Sequence, residues 1–405
     1  MDTTQRPLSD FGPAVFDPAD PVALTQALVR CPSVTPHEGG ALALLDAVLS
    51  AEGYTVHRPV FSAPGMPDVE NLYARLGTEG PVLVIAGHTD VVPVGDEAAW
   101  TRDPFAGSVE NGILHGRGAC DMKGGLAAMM AASLRFRREN PDSSGSIAFL
   151  ITGDEEGPAV NGTVKLLDWA HQRGERFDHC LLGEPTNPAS MSDMIKIGRR
   201  GSLTGKLTVN GKQGHVGYPD LADNPIRGMV RLLAALEATP LDQGTRHFDP
   251  SNLEVTTLDV GNPASNVVPA QARAVFNIRF NDVWTPETLA AEIERRLRDA
   301  AGNSIRYELV VQPTNAVAFM TEPGPFVNLV ADAVEAETGK RPALSTTGGT
   351  SDARFIKNYC PVVEYGVVGQ TMHQVDECVA VADLVTLERI TRRLLGTYFA
   401  AQHKA

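Results

Sequence analysis

Several apolar runs of strand length in this chain end on side chains able to hold a metal ion. PVLVIAGHTD carries His88 near its end, the run from Ser146 to Thr152 leads through TGDEEG to Glu155 and Glu156, and LLGEPT brings a third run to Glu184. Two further segments, GRGACDMKGG with Asp121 and MHQVDE with His373, supply side chains of the same kind. In an open α/β sheet the site forms outside the carboxyl ends of the strands, so the pattern predicts that architecture with its ligands along one edge. Two histidines with three or four carboxylates exceed the needs of one tetrahedral ion, but they suit a pair of ions sharing a bridging carboxylate and a water. The chemistry expected of such a centre is hydrolysis.

The coarse periodicity agrees. It predicts helices over 21–30 and 39–52, strands over 54–60, 70–76 and 81–87, a helix over 122–138, a strand over 146–152, a helix over 162–172, and strands at 178–182 and near 193–198. Alternation at this spacing indicates an α/β fold with a largely parallel or mixed sheet covered by helices on both faces. The order then changes to strand 201–210, helix 224–238, strands 253–260 and 272–280, helix 285–300 and strand 305–311, a β-α-β-β-α-β unit of ferredoxin-like type. Thr285 is placed to cap its second helix, Pro286 to occupy the first turn, and Leu289, Ile293 and Leu297 to form an apolar stripe. Because 405 residues exceed the size of one hydrophobic core, the unit reads as an inserted domain over 201–313, between the two parts of a discontinuous domain over 1–200 and 314–405. A helix over 382–401 closes the chain, with Leu384, Leu387, Leu394 and Tyr398 toward the core.

Composition excludes several function classes. A formal charge of -14 would repel rather than neutralise nucleic-acid phosphates. No apolar run approaches the roughly 20 residues that span a bilayer, and MDTTQRPLSDFGPAV lacks the basic start and apolar core of a signal peptide, so it reads as a loosely held extension. The five cysteines, Cys31, Cys120, Cys180, Cys360 and Cys378, form no CxxC pair and fit a reduced cytoplasm.

Individual residues acquire roles from their neighbours. On extended backbone residues i and i+2 point the same way, so Asp90 is expected to accept a hydrogen bond from the non-ligating nitrogen of His88 and fix its tautomer. Asp121 stands just before a helix and would serve equally as its cap, a role worth about 1 kcal/mol. Gly116, Gly118, Gly124 and Gly125 let backbone approach closely around it, and bridging two ions is the preferred assignment. Adjacent Glu155 and Glu156 repel each other unless a cation neutralises one, which gives Glu156 to metal and Glu155 to proton transfer. Glu184 and His373 would each supply a terminal ligand.

These residues resemble the dinuclear zinc aminoacylase/carboxypeptidase (M20) family. GHTDVVPVGD, DPF, GRGACDMKGGLAAM, TGDEEGPAVNGT, GEPT, GRRGSLTG, GHVGYPDLADNPI, SNVVPA, FNIRF, GGTSDARFI and MHQVDE stand in the order that family shows, over nearly all of the chain beyond the N-terminal extension. The resemblance implies a zinc-peptidase-like catalytic domain, with a central mixed sheet flanked by helices, and an α+β lid through which two copies form a homodimer. By that likeness His88 and Glu184 would hold one Zn2+ and Glu156 and His373 the other, with Co2+ possible at the second site. Asp121 would bridge, Glu155 would be the acid/base, Asp90 would orient His88, and the peptide after Asp121 would be cis. His215 in QGHVGYP would reach a neighbouring subunit's site and stabilise the oxyanion.

Within the family the motifs imply an amide hydrolase taking N-succinyl-L,L-2,6-diaminopimelate and water to succinate and L,L-2,6-diaminopimelate, in diaminopimelate and lysine biosynthesis. An acetylornithine deacetylase or another aminoacylase would keep every metal ligand and is the alternative. A dinuclear aminopeptidase usually carries Asp where this chain has Glu184, and a non-catalytic metal-binding module would not require Glu155. A substrate with three carboxylates calls for guanidinium groups, which bind them bidentately, and Arg199, Arg279 and Arg354 are the expected ones. Backbone N–H groups of Gly349, Thr350 and Ser351 could hold a carboxylate, and Tyr218 and Asn266 are further contacts that the likeness implies. Some members carry Asn four residues before the second metal histidine, where this chain has Gly369, so that contact is missing here or made by backbone.

Overall fold

A computed structural model of the protein describes residues 16–402, and the N-terminal extension ending at residue 15 lies outside the described residues. The chain divides into two compact units, one running to Ile197 and including Thr321–Ser345 and the residues from Ser351, the other formed by Gly198–Met320 and Thr346–Thr350.

The first unit is built on an eight-stranded mixed sheet in the order Thr55–His57, Leu72–Leu76, Ser146–Thr152, Val82–His88, His179–Leu182, Val362–Glu364, Met194–Lys196 and Ala343–Ser345. Val82–His88 runs parallel to both its neighbours, whereas Leu72–Leu76 is antiparallel to Ser146–Thr152. Every residue of Val82–His88 and of Ser146–Thr152 is buried. Strands covered on both faces must be apolar throughout, which is why these segments read as unbroken hydrophobic runs rather than alternating ones. The helix Lys123–Glu139 packs on Val82–His88, and the closing helix Val381–Gln402 packs on it in turn, with Leu384, Leu387, Leu394 and Tyr398 all buried. No helix among the described residues is long and apolar enough to cross a membrane.

Register sets the position of the site. His88 pairs with Thr152 at the end of one parallel ladder, and Ala86 pairs with Leu182 on the other side. Three adjacent strands therefore release the chain at one edge, and Glu155, Glu156 and Glu184 follow within a turn's length. At that edge the helix Lys123–Glu139 meets the Glu184 loop with no room for a side chain, since a Cβ on Gly125 would stand 2.4 Å from the Gly183 carbonyl oxygen.

The second unit is a four-stranded antiparallel sheet in the order Asn252–Asp259, Gln271–Phe280, Gly201–Asn210 and Arg306–Val311, with helices Pro225–Glu237 and Pro286–Ala301. Burial alternates along Gly201–Asn210 and Gln271–Phe280, as expected of strands with one covered face. Leu203, Leu207, Phe276 and Ile278 from the sheet join Met229, Leu232, Leu289, Ile293 and Leu297 from the helices in one core. The Thr285 side chain accepts the Thr288 N–H and Pro286 opens the helix. Gly205 pairs with Phe276 in register, and a Cβ there would lie 2.2 Å from the Phe276 ring, so the ring occupies the space the glycine leaves. Phe276→Ala is expected to destabilise this unit by about 3–5 kcal/mol in urea unfolding followed by circular dichroism; a loss below about 1 kcal/mol would contradict this packing.

Candidate metal centre

Six of the residues singled out in the sequence meet in the first unit. The Nε2 atom of His88 lies 3.4 Å from Oδ1 of Asp121 and 3.9 Å from Oε1 of Glu184. The Nε2 atom of His373 lies 3.3 Å from Oδ2 of the same Asp121 and 2.9 Å from Oε1 of Glu156. One carboxylate thus turns each of its oxygens to a different imidazole. Ligand atoms of His88, Asp121 and Glu156 fall within 4.8 Å of one another, as do those of His88, Glu155 and Glu184. The second group brings Glu155 as close as a ligand.

The donor set fits metal ions by its own chemistry. His88 is buried, and its Nε2 has no hydrogen-bond partner among the described residues, a costly state for a polar atom unless a cation takes the lone pair. His373 holds a left-handed backbone (φ 61°), unusual for a residue with a side chain, and this aims its ring at Asp121 and Glu156. Contacts with Asp121 first and Glu156 second push the His373 imidazole up to about 10. Burial pushes the Asp121 carboxyl up, but the two imidazoles outweigh it and hold the group below the usual carboxylate range. Burial, then the Glu184 carboxylate, push Glu155 well above that range. Cations beside these groups would favour the ionised carboxylates and the neutral imidazoles that ligation requires.

Asp90 departs from expectation. The Nδ1 atom of His88 is partnered by the backbone carbonyl of Asp90 at 2.9 Å, while the carboxylate stands 3.6 Å away. The strand ends at His88, so the pleat no longer fixes the direction of the side chain at residue 90. The Asp90 carboxylate instead accepts the N–H of Glu155 at 3.3 Å and of Glu156 at 2.9 Å. Asp154 holds the far side of the same turn through the N–H groups of Val160 at 2.9 Å and Asn161 at 2.8 Å. Asp90 therefore serves His88 by its main chain and the two glutamates by its side chain.

Asp121 is not a helix cap. The helix begins at Lys123 with Met122 as its N-cap and no capping side chain, and the Asp121–Met122 peptide is cis. The loop before it is held by Glu377, which sequence reasoning passed over although it closes the MHQVDE motif.

The expected substrate contacts are distributed over both units. In the second unit Arg199 is buried and its Nη1 donates to the Gly349 carbonyl at 3.3 Å. Arg279 lies in the sheet between Ser202 and Asn252, its side chain with no hydrogen bond or ion pair among the described residues. His215 pairs with Val267 in a short two-stranded ladder, its Nδ1 accepts the Gly217 N–H at 3.0 Å, and its ring centroid stands 5.5 Å from that of the exposed Tyr218. The Asn266 carbonyl accepts the Val216 N–H at 3.0 Å, which gathers His215, Tyr218 and Asn266 at one end of that ladder. Gly349 and Thr350 also lie in this unit. In the first unit Arg354 is buried over the Phe355 ring at 4.3 Å, and the Ser351 hydroxyl is turned inward to Glu364 at 2.6 Å. The Gly369 N–H already donates to the Asn187 carbonyl at 3.0 Å, so it has no backbone donor to spare for a substrate; a Cβ there would press on Pro185 at 3.0 Å.

The description "Peptidase family M20/M25/M40" matches residues 84–397. The chain belongs to that family. Among M20 relatives, a succinyl-diaminopimelate desuccinylase of Methylobacterium nodulans is 71% identical over 380 residues, covering 94% of this chain and 96% of the relative. One of Beijerinckia indica subsp. indica is 60% identical over 376 residues, covering 93% and 98%. Aminopeptidase PepT from Bacillus cereus has the same fold, with a TM-score of 0.75 at 20% identity over 94% of this chain and 99% of that one. So does a Bacillus subtilis protein described as a dinuclear metal binding peptidase from the M20 family, with a TM-score of 0.67 at 16% identity over 95% and 98%. The expected mixed sheet flanked by helices and the expected M20 membership both hold.

Proposed function

We propose that this M20 chain is an amide hydrolase that converts N-succinyl-L,L-2,6-diaminopimelate and water to succinate and L,L-2,6-diaminopimelate, a step of diaminopimelate and lysine biosynthesis, with two zinc ions per subunit. Asp121 carries the assignment: its two carboxylate oxygens, 3.4 Å and 3.3 Å from two separate imidazoles, suit two cations one carboxylate apart. The name shared by relatives 71% and 60% identical over more than nine-tenths of their length supports the choice of substrate.

When bound, the ions would polarise the amide carbonyl and lower the pKa of a shared water. His88 and Glu184 would hold one, Glu156 and His373 the other, and Asp121 would serve both; imidazole and carboxylate ligands would also accept Co2+ at the second site. Glu155, held by Asp90 through its backbone, takes a proton from the water and passes it to the leaving amine. Arg279 waits for a carboxylate: it is half-buried beside Arg200, and burial, then that second guanidinium, lower its pKa. Arg199 and Arg354 would bind the other substrate carboxylates, and Gly349, Thr350, Ser351, Tyr218 and Asn266 are the further contacts proposed for the substrate. In a homodimer formed through the second unit, His215 from a neighbouring subunit would donate to the oxyanion. Five free cysteines suit a cytoplasmic location.

The test is a side-by-side hydrolysis assay of the succinylated L,L substrate and N-acetylornithine. The succinyl compound is expected to be preferred by on the order of 10⁴-fold in kcat/KM, because buried guanidinium groups left without carboxylates penalise the analogue. Dialysis against a chelator should abolish the activity, and Zn2+ or Co2+ should restore it. Preference for the acetyl compound would move the chain to the deacetylases, and hydrolysis that survives chelation would overturn the metal reading.

A further inference from the structure

Glu377 ends the segment that carries His373, and its side chain is only 1% exposed. Oε1 accepts the backbone N–H groups of Cys120 and Asp121, each at 3.1 Å. Oε2 accepts the Gly118 N–H at 3.0 Å and the Arg117 guanidinium at 2.8 Å. The Glu377 carbonyl accepts the Gly116 N–H at 2.9 Å, so the loop from 116 to 121 hangs on a single residue of the His373 loop. Arg117 strengthens the junction, donating to the Gln374 carbonyl at 3.2 Å and lying 5.2 Å from the centre of the Trp100 ring. The His373 loop is itself closed by Thr371, whose hydroxyl donates to the Cys378 carbonyl at 2.9 Å and accepts the Cys378 N–H at 3.0 Å. Asp376 ties it outward, accepting the Thr101 N–H at 2.9 Å.

We infer that Glu377 is a positioning residue, which fixes the bridging carboxylate of Asp121 and the terminal ligand His373 at the separation two cations require. The inference rests on the two-metal reading above. Asp121 and His373 come from loops about 250 residues apart in sequence and must be placed to a fraction of an ångström for one carboxylate to serve both ions. Glu377 belongs to the His373 loop and holds the Asp121 loop, through its carbonyl and through a carboxylate that accepts from Arg117, Gly118, Asp121 and both the N–H and the thiol of Cys120. An amide in its place has one accepting oxygen, and its NH2 would face donors instead of receiving from them. A purely structural ion pair with Arg117 would lower the melting temperature and leave ion binding alone.

Metal-free full-length wild type, Glu377→Gln and Arg117→Lys are titrated with Co2+, reading heat and the visible absorption of the bound ion. Wild type should take up two equivalents. In Glu377→Gln the weaker ion should lose roughly 10- to 100-fold in affinity, with an altered spectrum, while the tighter ion is nearly unchanged. Arg117→Lys, which spares the Oε1 contacts to Cys120 and Asp121, should weaken the same ion by a smaller factor. Two ions bound to Glu377→Gln as tightly as to wild type, whatever the melting temperature, would overturn the inference. Should Glu377→Gln fail to fold, unchanged affinity in Arg117→Lys would overturn it. A wild type that binds fewer than two ions would overturn the two-metal reading itself, before any variant is compared.

Discussion

Replacing Glu155 with alanine is expected to lower kcat on the succinylated substrate by about 10²- to 10⁴-fold, the usual contribution of a positioned acid/base group, while two metal ions stay bound. Its backbone is fixed by the Asp90 carboxylate, and its side chain lies among His88 and Glu184 without being the partner of His373. In the proposed mechanism the loss falls on proton transfer, so KM should change little and the pH dependence of kcat should lose the limb that reports this carboxyl. Elemental analysis of the purified variant decides between roles: a protein that has lost one ion would make Glu155 a ligand, consistent with its proximity to His88 and Glu184.

Asp121→Asn should have the larger effect on the ions themselves. Asparagine keeps the shape but offers one accepting oxygen and an NH2, so it can face only one of the two imidazole sites as a ligand. Loss of partners outside the ligand shell typically costs 10- to 100-fold in metal affinity or activity, and removal of a ligand shared by both ions is expected to exceed roughly 100-fold in activity and to leave at most one ion after dialysis. Retention of two ions with near-normal turnover would show that Asp121 is not shared. The helix Lys123–Glu139 should survive the change, because Asp121 contributes no cap to it.

The parts of the centre that hang on strands can be read from sequence, and there is a physical reason. A strand buried on both faces has to be an unbroken apolar run, so the polar residues that follow Val82–His88, Ser146–Thr152 and His179–Leu182 emerge at the same sheet edge. Asp90 shows where this reasoning stops. Side-chain alternation predicts its direction only while the backbone stays pleated, and two residues beyond the strand end the carbonyl reaches Nδ1 in place of the carboxylate. Glu377 is harder still. Its partners Cys120 and Asp121 stand 257 and 256 positions away, and no local period encodes a contact of that range. Its one sequence signal is an acidic residue four places after His373, at the close of MHQVDE. Gly205 and Phe276 are similar, a void and a ring that make sense only once strand register pairs them.

The sheet order also has a consequence for how the molecule is made. Val362–Glu364 lies between His179–Leu182 and Met194–Lys196, although the ribosome adds it more than 150 residues after either. A nascent chain that has already delivered His88, Asp121, Glu156 and Glu184 still has a gap in its central layer and lacks His373 altogether. Such long-range closure is slow. The proposed pair of ions can therefore be held only after Val362–Glu364 and His373 have both joined a layer whose other strands formed first.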